Sequence, residues 1–311
     1  MPRSFCYEKI CNGKRSTNEA ILDFTEFIIQ TPLRAQPREK AYHYTDGDVF
    51  ERIVSEGMRL TSFDRIKGDK EEGILMKKVW NKACYEVFRN GKIDKSFYEK
   101  LKSYELEQEY NVYMRHKEGD RLEHFVCDVY IGSFSKSEND KRMWRKYCKK
   151  TKKKGINFDL NPTQLNTPHS PFTIEFEDIS LIEVVDVIYD RKKLVEFLKI
   201  AIIFFRDIVD EKPDFVDTNI KSILNRMRFS YKNKKFRWEH ETRIILKIPK
   251  RHRGSIDSNN EYAWLPLNQN CYFTITGGPK LTDEELKIFK DSLSKKWSCV
   301  YVHNNARRTI Q

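Results

Sequence analysis

The apolar positions along the chain switch between two periods, and the switches mark its elements. Ile21, Leu22, Phe24, Phe27 and Ile28 recur at helical spacing and predict an amphipathic helix over residues 18–30, which Pro32 and Pro37 separate from the first strand. Residues 41–45, AYHYT, are rich in β-formers. Asp46 then stands where it can cap a helix over 47–55, Gly57 where it can end that helix, and residues 58–63 predict a second strand. Residues 69–116 are charged and helical in texture, with two or three helices and a buried stripe through Ile74, Leu75, Val79 and Trp80. A strand over 125–135 ends in Ser133-Phe134-Ser135. A helix over 140–154 stops at Gly155, and residues 156–160 return to a strand. After a Pro/Asn/Thr loop at 161–171, one or two strands are expected within 172–189, a long apolar helix over 190–211 and a short helix within 213–230. Residues 238–248 alternate again, with Glu239, Glu241 and Arg243 on one face and His240, Thr242, Ile244, Leu246 and Ile248 on the other. A strand at 272–275, a helix capped by Thr282 and a last strand at 298–303 complete the pattern. Strands near both ends with helices between them predict one α+β domain over residues 41–311 with a helical insertion at about 70–118, preceded by a basic lead and helix in residues 1–40.

Composition narrows the partners. The 311 residues are 39% hydrophobic and 33% charged, and 20 Phe, 15 Tyr and 5 Trp supply core material to a polar chain. A net charge of +12 favours polyanions, nucleic acid first. The apolar run at 200–205 is bounded by Lys199 and Arg206, far short of the ~20 residues that span a bilayer, so no membrane partner is expected. The first fifteen residues lack the apolar core of a secretory signal. Seven cysteines, an odd number with no Cys-x-x-Cys, fit a reducing cytoplasm and no zinc knuckle.

Two stretches carry candidate chemistry. Carboxylates two residues apart on a strand face repel, and such a pair persists where an arginine, a metal or a substrate hydroxyl uses it. The plainer alternative is a solvated face of an edge strand. Nine of the fourteen residues from Lys141 to Lys154 are basic, and Trp144 and Tyr147 sit three apart within them. Trp144 and Tyr147 read first as core anchors and second as a base-stacking platform. Lys149, Lys150, Lys152, Lys153 and Lys154 read as a solvated run or as phosphate contacts. His43, between two tyrosines, reads as a core histidine or as a ligand-binding group.

An ordered set of short motifs resembles a family of bacterial domains of unknown function, family 2971. The motifs are Tyr42-His43-Tyr44-Thr45, Leu60-Thr61-Ser62, Ser133-Phe134-Ser135, Trp144 with Tyr147 and Gly155, Trp238-Glu239-His240-Glu241-Thr242-Arg243, and Gly278-Pro279. That family is similar to the ADP-ribosyltransferase-like fold, which implies a split mixed or antiparallel sheet with helical insertions. The resemblance implies NAD as substrate, Glu241 and Glu239 as catalytic carboxylates, and His43, Tyr44, Thr45, Ser133, Ser135 and Arg243 as the NAD-binding set. His43 fits the His-Tyr-Glu branch of that fold, whereas Ser-Phe-Ser and Glu-x-Glu fit the Arg-Ser-Glu branch. The function so implied is NAD-dependent ADP-ribosylation by a cytoplasmic bacterial toxin or phage-defence effector. The net charge of +12 and the basic run from Lys141 to Lys154 make nucleic acid the expected acceptor, RNA ahead of DNA, with a protein acceptor as the alternative and an antitoxin or inhibitor protein as a further candidate partner. Two other classes stay open: a metal-dependent nuclease using Glu239, Glu241 and Glu175 or Glu177, and a basic nucleic-acid-binding module without chemistry.

Overall fold

The computed structural model describes residues 40–66, 74–106, 110–115, 122–148, 155–161, 181–250, 258–268, 273–294 and 300–303. In chain order these form β1 (Ala41–Asp46), α1 (Gly47–Glu56), β2 (Met58–Ser62), α2 (Leu75–Arg89), α3 (Lys95–Ser103), β3 (Tyr110–Arg115), β4 (Leu122–Ser135), α4 (Lys141–Cys148) and β5 (Gly155–Leu160). There follow β6 (Leu181–Asp186), α5 (Arg191–Ile208), α6 (Pro213–Ser230), a 3-10 turn (Lys234–Glu239), β7 (Glu241–Pro249), β8 (Tyr262–Leu265), β9 (Phe273–Gly277), α7 (Asp283–Ser294) and β10 (Val300–His303). The class is α+β. The chain divides into two units, a helical one drawn from Asp69–Asn111 and Asp186–Lys235 and a sheet unit drawn from Ala35–Gly68, Val112–Val185 and Phe236–Gln311.

The sheet is organised on β4. Its strand order is β10-β9-β5-β1-β4-β2-β8, with β7 also paired to β4 and β6 to β7. Along one edge of β4, β7 runs antiparallel from Cys127 opposite Pro249 to Ser135 opposite Glu241. A strand has two edges, so β1 and β2 share the other. β1 joins it at Ser135, opposite Tyr42, and β2 joins it at Tyr130 and Ile131, opposite Ser62 and Thr61. The two strands diverge there, and residues 132–134 face a notch between them. The β9–β10 pair is parallel, whereas β1, β2 and β5 meet their neighbours antiparallel.

Alternation sends Leu60, Phe134, Phe158, Ile244, Leu246 and Ile248 to one face, where they form the core with Phe50 and Ile53 of α1. Gly132 lies on that face, and a Cβ there would meet a methyl of Leu60 at 2.5 Å. Gly57 ends α1 at φ 100°, with its N–H donating to Ile53 O, and a Cβ would come 2.8 Å from Leu265 O. A reciprocal capping box opens α7: Thr282 N–H donates to Glu285 Oε2 at 2.9 Å, and Glu285 N–H to Thr282 Oγ1 at 3.2 Å.

The helical unit buries Val79, Trp80, Ala83 and Val87 of α2 with Leu198, Ala201, Ile202 and Phe205 of α5 and Ile220, Leu224 and Met227 of α6. Asp94 and Asp190 cap α3 and α5 through backbone N–H groups, and Pro213 opens α6, where its missing N–H costs nothing.

The insertion expected at 70–118 is present as α2 and α3, but it shares its core with α5 and α6. Ile74, expected on the buried stripe, is 60% exposed because it precedes the first turn of α2. Residues 110–115 are a strand where helical texture was expected, β8 was not anticipated, and α6 is 18 residues long rather than short. The anticipated helix at 18–30, the loop at 161–171 and Lys149 to Lys154 lie outside the described residues.

Candidate active site

Cross-strand pairs share a face, so the registers fix which site residues stand together. Tyr42 is opposite Ser135, Ser135 opposite Glu241, and Ser133 opposite Arg243. Tyr42, Tyr44, Ser133, Ser135, Glu241 and Arg243 therefore share the face away from the aliphatic core, with Asn157 and Asp159 of β5 beside the tyrosines.

Glu241 is the centre of this face. Ser133 Oγ donates to Glu241 Oε1 at 2.5 Å, and Arg243 forks onto the same carboxylate, Nε to Oε1 at 2.8 Å and Nη2 to Oε2 at 3.4 Å. Arg243 is 1% exposed and Glu241 3%, whereas Ser133 is exposed at the notch. Of the two serines in Ser133-Phe134-Ser135, Ser133 orients Glu241. Ser135 is buried and its Oγ accepts from Ser137 N–H, which ties the turn after β4.

Glu239 departs from the expected strand face. β7 begins at Glu241, while Glu239 ends the 3-10 turn, and His240 between them adopts φ 45°. A non-glycine residue in the left-handed region reverses the local backbone, so the two-residue period does not extend back to Glu239. The side chain is buried and accepts from Lys146 Nζ of α4 at 2.6 Å. Lys146 also lies 5.6 Å from the Trp238 ring centroid. Arg243, on the strand face of the two carboxylates, pairs with Glu241.

His43 also differs from expectation. It is opposite Phe158 on β5, so its side chain leaves on the core face with Thr45, away from Ser133 Oγ and Glu241. Its ring centroid lies 5.4 Å from both Phe134 and Phe158. Nδ1 is 3.1 Å from Ser133 O, so the imidazole caps the carbonyl that the fork leaves without a strand partner. Burial holds its pKa below the ordinary 6.5, and the Ser133 hydrogen bond opposes this more weakly. A depressed histidine pKa means that the unfolded chain binds the proton more readily. The stability His43 contributes is thus complete above about pH 6.5 and is lost as pH falls through its lower folded value. Urea midpoints are expected to fall between pH 7.5 and pH 5, and to fall less for His43→Gln. Equal pH dependence in the two proteins would remove this role.

Tyr44 is a buried tether. Its hydroxyl donates to Ser137 O at 2.7 Å and accepts from Asp140 N–H at 3.0 Å, and its ring meets Trp144 edge-on at 4.7 Å. Burial pushes the phenol far above its ordinary pKa, so it remains a donor. Trp144 is 3% exposed, the core anchor of the two readings, and Tyr147 is 38% exposed. α4 therefore lies over β1, with Met143 and Trp144 against Tyr44, Tyr42 and Trp238. Tyr42, Asn157, Lys146 and Trp238 belong to this face, although the sequence did not single them out as site residues. Tyr42 was legible in principle, because it shares the parity of Tyr44. Asn157 is fully buried, its Nδ2 donating to Glu138 O.

Among the described residues no group of three His, Cys, Asp or Glu side chains is placed to hold a metal ion, and Glu175 and Glu177 lie outside them. No described helix is long and apolar enough to cross a membrane. Residues 143–244 match the model of a family described only as a protein of unknown function, DUF2971. That segment carries Trp144, Tyr147, Gly155 and the Trp238–Arg243 motif, and the match supports the resemblance drawn from them. No curated protein and no solved structure matches the chain.

Proposed function

We propose that the chain is a NAD-dependent ADP-ribosyltransferase whose cation-stabilising carboxylate is Glu241. The observation that carries this reading is the 2.5 Å hydrogen bond from Ser133, exposed at the notch, onto a glutamate held by a buried arginine. In such a transfer the bond from ribose C1′ to the nicotinamide nitrogen breaks, and nicotinamide leaves with the electron pair. An oxocarbenium-like cation develops, and an acceptor nucleophile bonds to C1′ and releases its proton. A fixed carboxylate beside the ribose lowers the energy of that cation. Ser133 marks the route by which a ribose hydroxyl reaches Glu241. Arg243 is a positioning residue that grips both carboxylate oxygens and sets their angle. Glu239, clamped by Lys146, anchors α4 to the approach to β7 and is a positioning residue rather than a catalytic carboxylate. Tyr42 and Tyr44, rather than His43, supply the first-strand side chains on this face, and the fork of the sheet at β4 is the feature that fits the ADP-ribosyltransferase type.

Incubation of the protein with labelled NAD and total RNA, with and without EDTA, tests the reading. EDTA-insensitive transfer of label is expected. Ser133→Ala should lower it by ~10-fold or more through misorientation of Glu241, while Ser135→Ala should act on stability alone. Cleavage of RNA that EDTA abolishes, with no transfer of label, would replace the reading with the nuclease.

A further inference from the structure

We propose that the outward face of α4 is the docking surface for a single-stranded nucleic acid, and that Tyr147 is its stacking residue. The proposal rests on the assignment of transferase activity, because it names the acceptor of the same site. Met143 and Trp144 turn inward, so the helix presents Lys141, Arg142, Arg145, Lys146 and Tyr147 to solvent. Lys146 is matched by Glu239. The side chains of Lys141, Arg142 and Arg145, three cations within five positions of one helix, form no ion pair among the described residues; the Asp140 carboxylate beside them is turned to the backbone N–H groups of Arg142 and Met143. Like charges in such a row repel one another, and a polyanion removes that repulsion.

Two further observations select a nucleic acid from among polyanions. Tyr147 is a large aromatic side chain left 38% exposed, with Lys146 Nζ 5.3 Å from its ring centroid. Across Lys146 stands the half-buried Trp238, so cation and rings alternate along this surface as they do where bases stack and phosphates are neutralised. The placement also leads to the chemistry. Lys146 holds Glu239, and Glu239 precedes Glu241 by two residues across the turn at His240. A strand lying along α4 is thereby aimed at the Ser133–Glu241 pair. Single strands suit such a surface better than duplexes, because their bases are free to stack and present nucleophilic atoms without being extruded.

The test measures binding without NAD, so it is independent of whether transfer occurs. Anisotropy of a fluorescent 20-nucleotide RNA is followed against salt for the full chain, for the triple variant K141Q/R142Q/R145Q, and for Tyr147→Ala and Tyr147→Phe. All of these positions are exposed, and melting curves confirm folding. With a slope of about −0.7 per neutralised phosphate on single strands, loss of three cations should flatten log K against log salt by about 2. Tyr147→Ala should weaken binding by ~10-fold with the slope unchanged, and Tyr147→Phe should bind like the parent. An unaltered slope in the triple variant, or parental binding by Tyr147→Ala, overturns the proposal. So does equal competition by polyglutamate of matched charge, which would make α4 a surface for an acidic protein. RNA binding with these signatures in a protein that never consumes NAD would leave this inference standing and remove the proposed transfer.

Discussion

Glu241→Gln is expected to lower ADP-ribosyl transfer by ~10² or more and, in the same variant, to lower stability by about 3–5 kcal/mol. The first loss follows from the removed charge, which no neutral amide supplies to an oxocarbenium-like state. The second follows from Arg243. Its guanidinium is 1% exposed and directed onto the carboxylate, so the substitution takes a charged partner from a buried cation. Alternation along the strand treats this substitution as a change of chemistry alone; the burial of Arg243 makes it a change of folding too. A paired variant separates the two effects. Glu241→Met with Arg243→Met removes both charges and fills a similar volume, a replacement that often leaves stability intact. It should recover most of the urea midpoint and none of the transfer. Parental transfer by the double variant would show that Glu241 takes no part in the reaction, and an unchanged midpoint for Glu241→Gln would show that the ion pair is not a buried one in solution.

Trp80→Ala should cost about 3–5 kcal/mol, the range for deleting a fully buried tryptophan. Trp80 has no exposed surface and stands at the centre of the α2–α5–α6 core. Its indole Nε1 donates to Leu101 O at 2.8 Å, fixing the end of α3. Trp80→Phe keeps most of the volume and forfeits that bond, while Leu101 O still accepts from Tyr104 N–H, so a smaller loss of about 1–3 kcal/mol is expected. Chemical denaturation of the three proteins gives both numbers. A loss under about 1 kcal/mol for Trp80→Ala would mean that the cavity collapses without penalty.

The parts of the site legible in the chain are those governed by short-range periodicity. Thr242, Ile244, Leu246 and Ile248 are buried together as the alternation requires. Glu239 departs from its expected face because the same alternation continues unbroken through Trp238 and His240. The left-handed residue that ends it is a histidine, which carries none of the warning a glycine gives. His43 departs for another reason. Period two separates Tyr42 and Tyr44 from His43 but does not say which set meets the aliphatic core, and the apolar rings of the tyrosines suit either side. The answer lies in α4, whose Trp144 gives the polar face a second cover for Tyr44. The meeting of Ser133 with Glu241 was legible only through the order of motifs, since nothing local joins them. The helical unit was half visible: α2 and α3 have clear stripes, but their match to α5 and α6 is a contact between distant segments with no signature in either.

The fork at β4 also sets a timetable for synthesis. Ser133 and Glu241 are 108 positions apart, so β4 leaves the ribosome long before the strand that pairs with it from Cys127 to Ser135. At roughly 5–20 residues per second, the nascent edge waits about 5–20 s for β7. During that interval the paired stretch carries Val129, Ile131 and Phe134 without β7 beside them, the condition under which strands recruit other chains. The bond that completes the site is thus among the last a new molecule makes, and a chain cut off before residue 241 holds its serine without its glutamate.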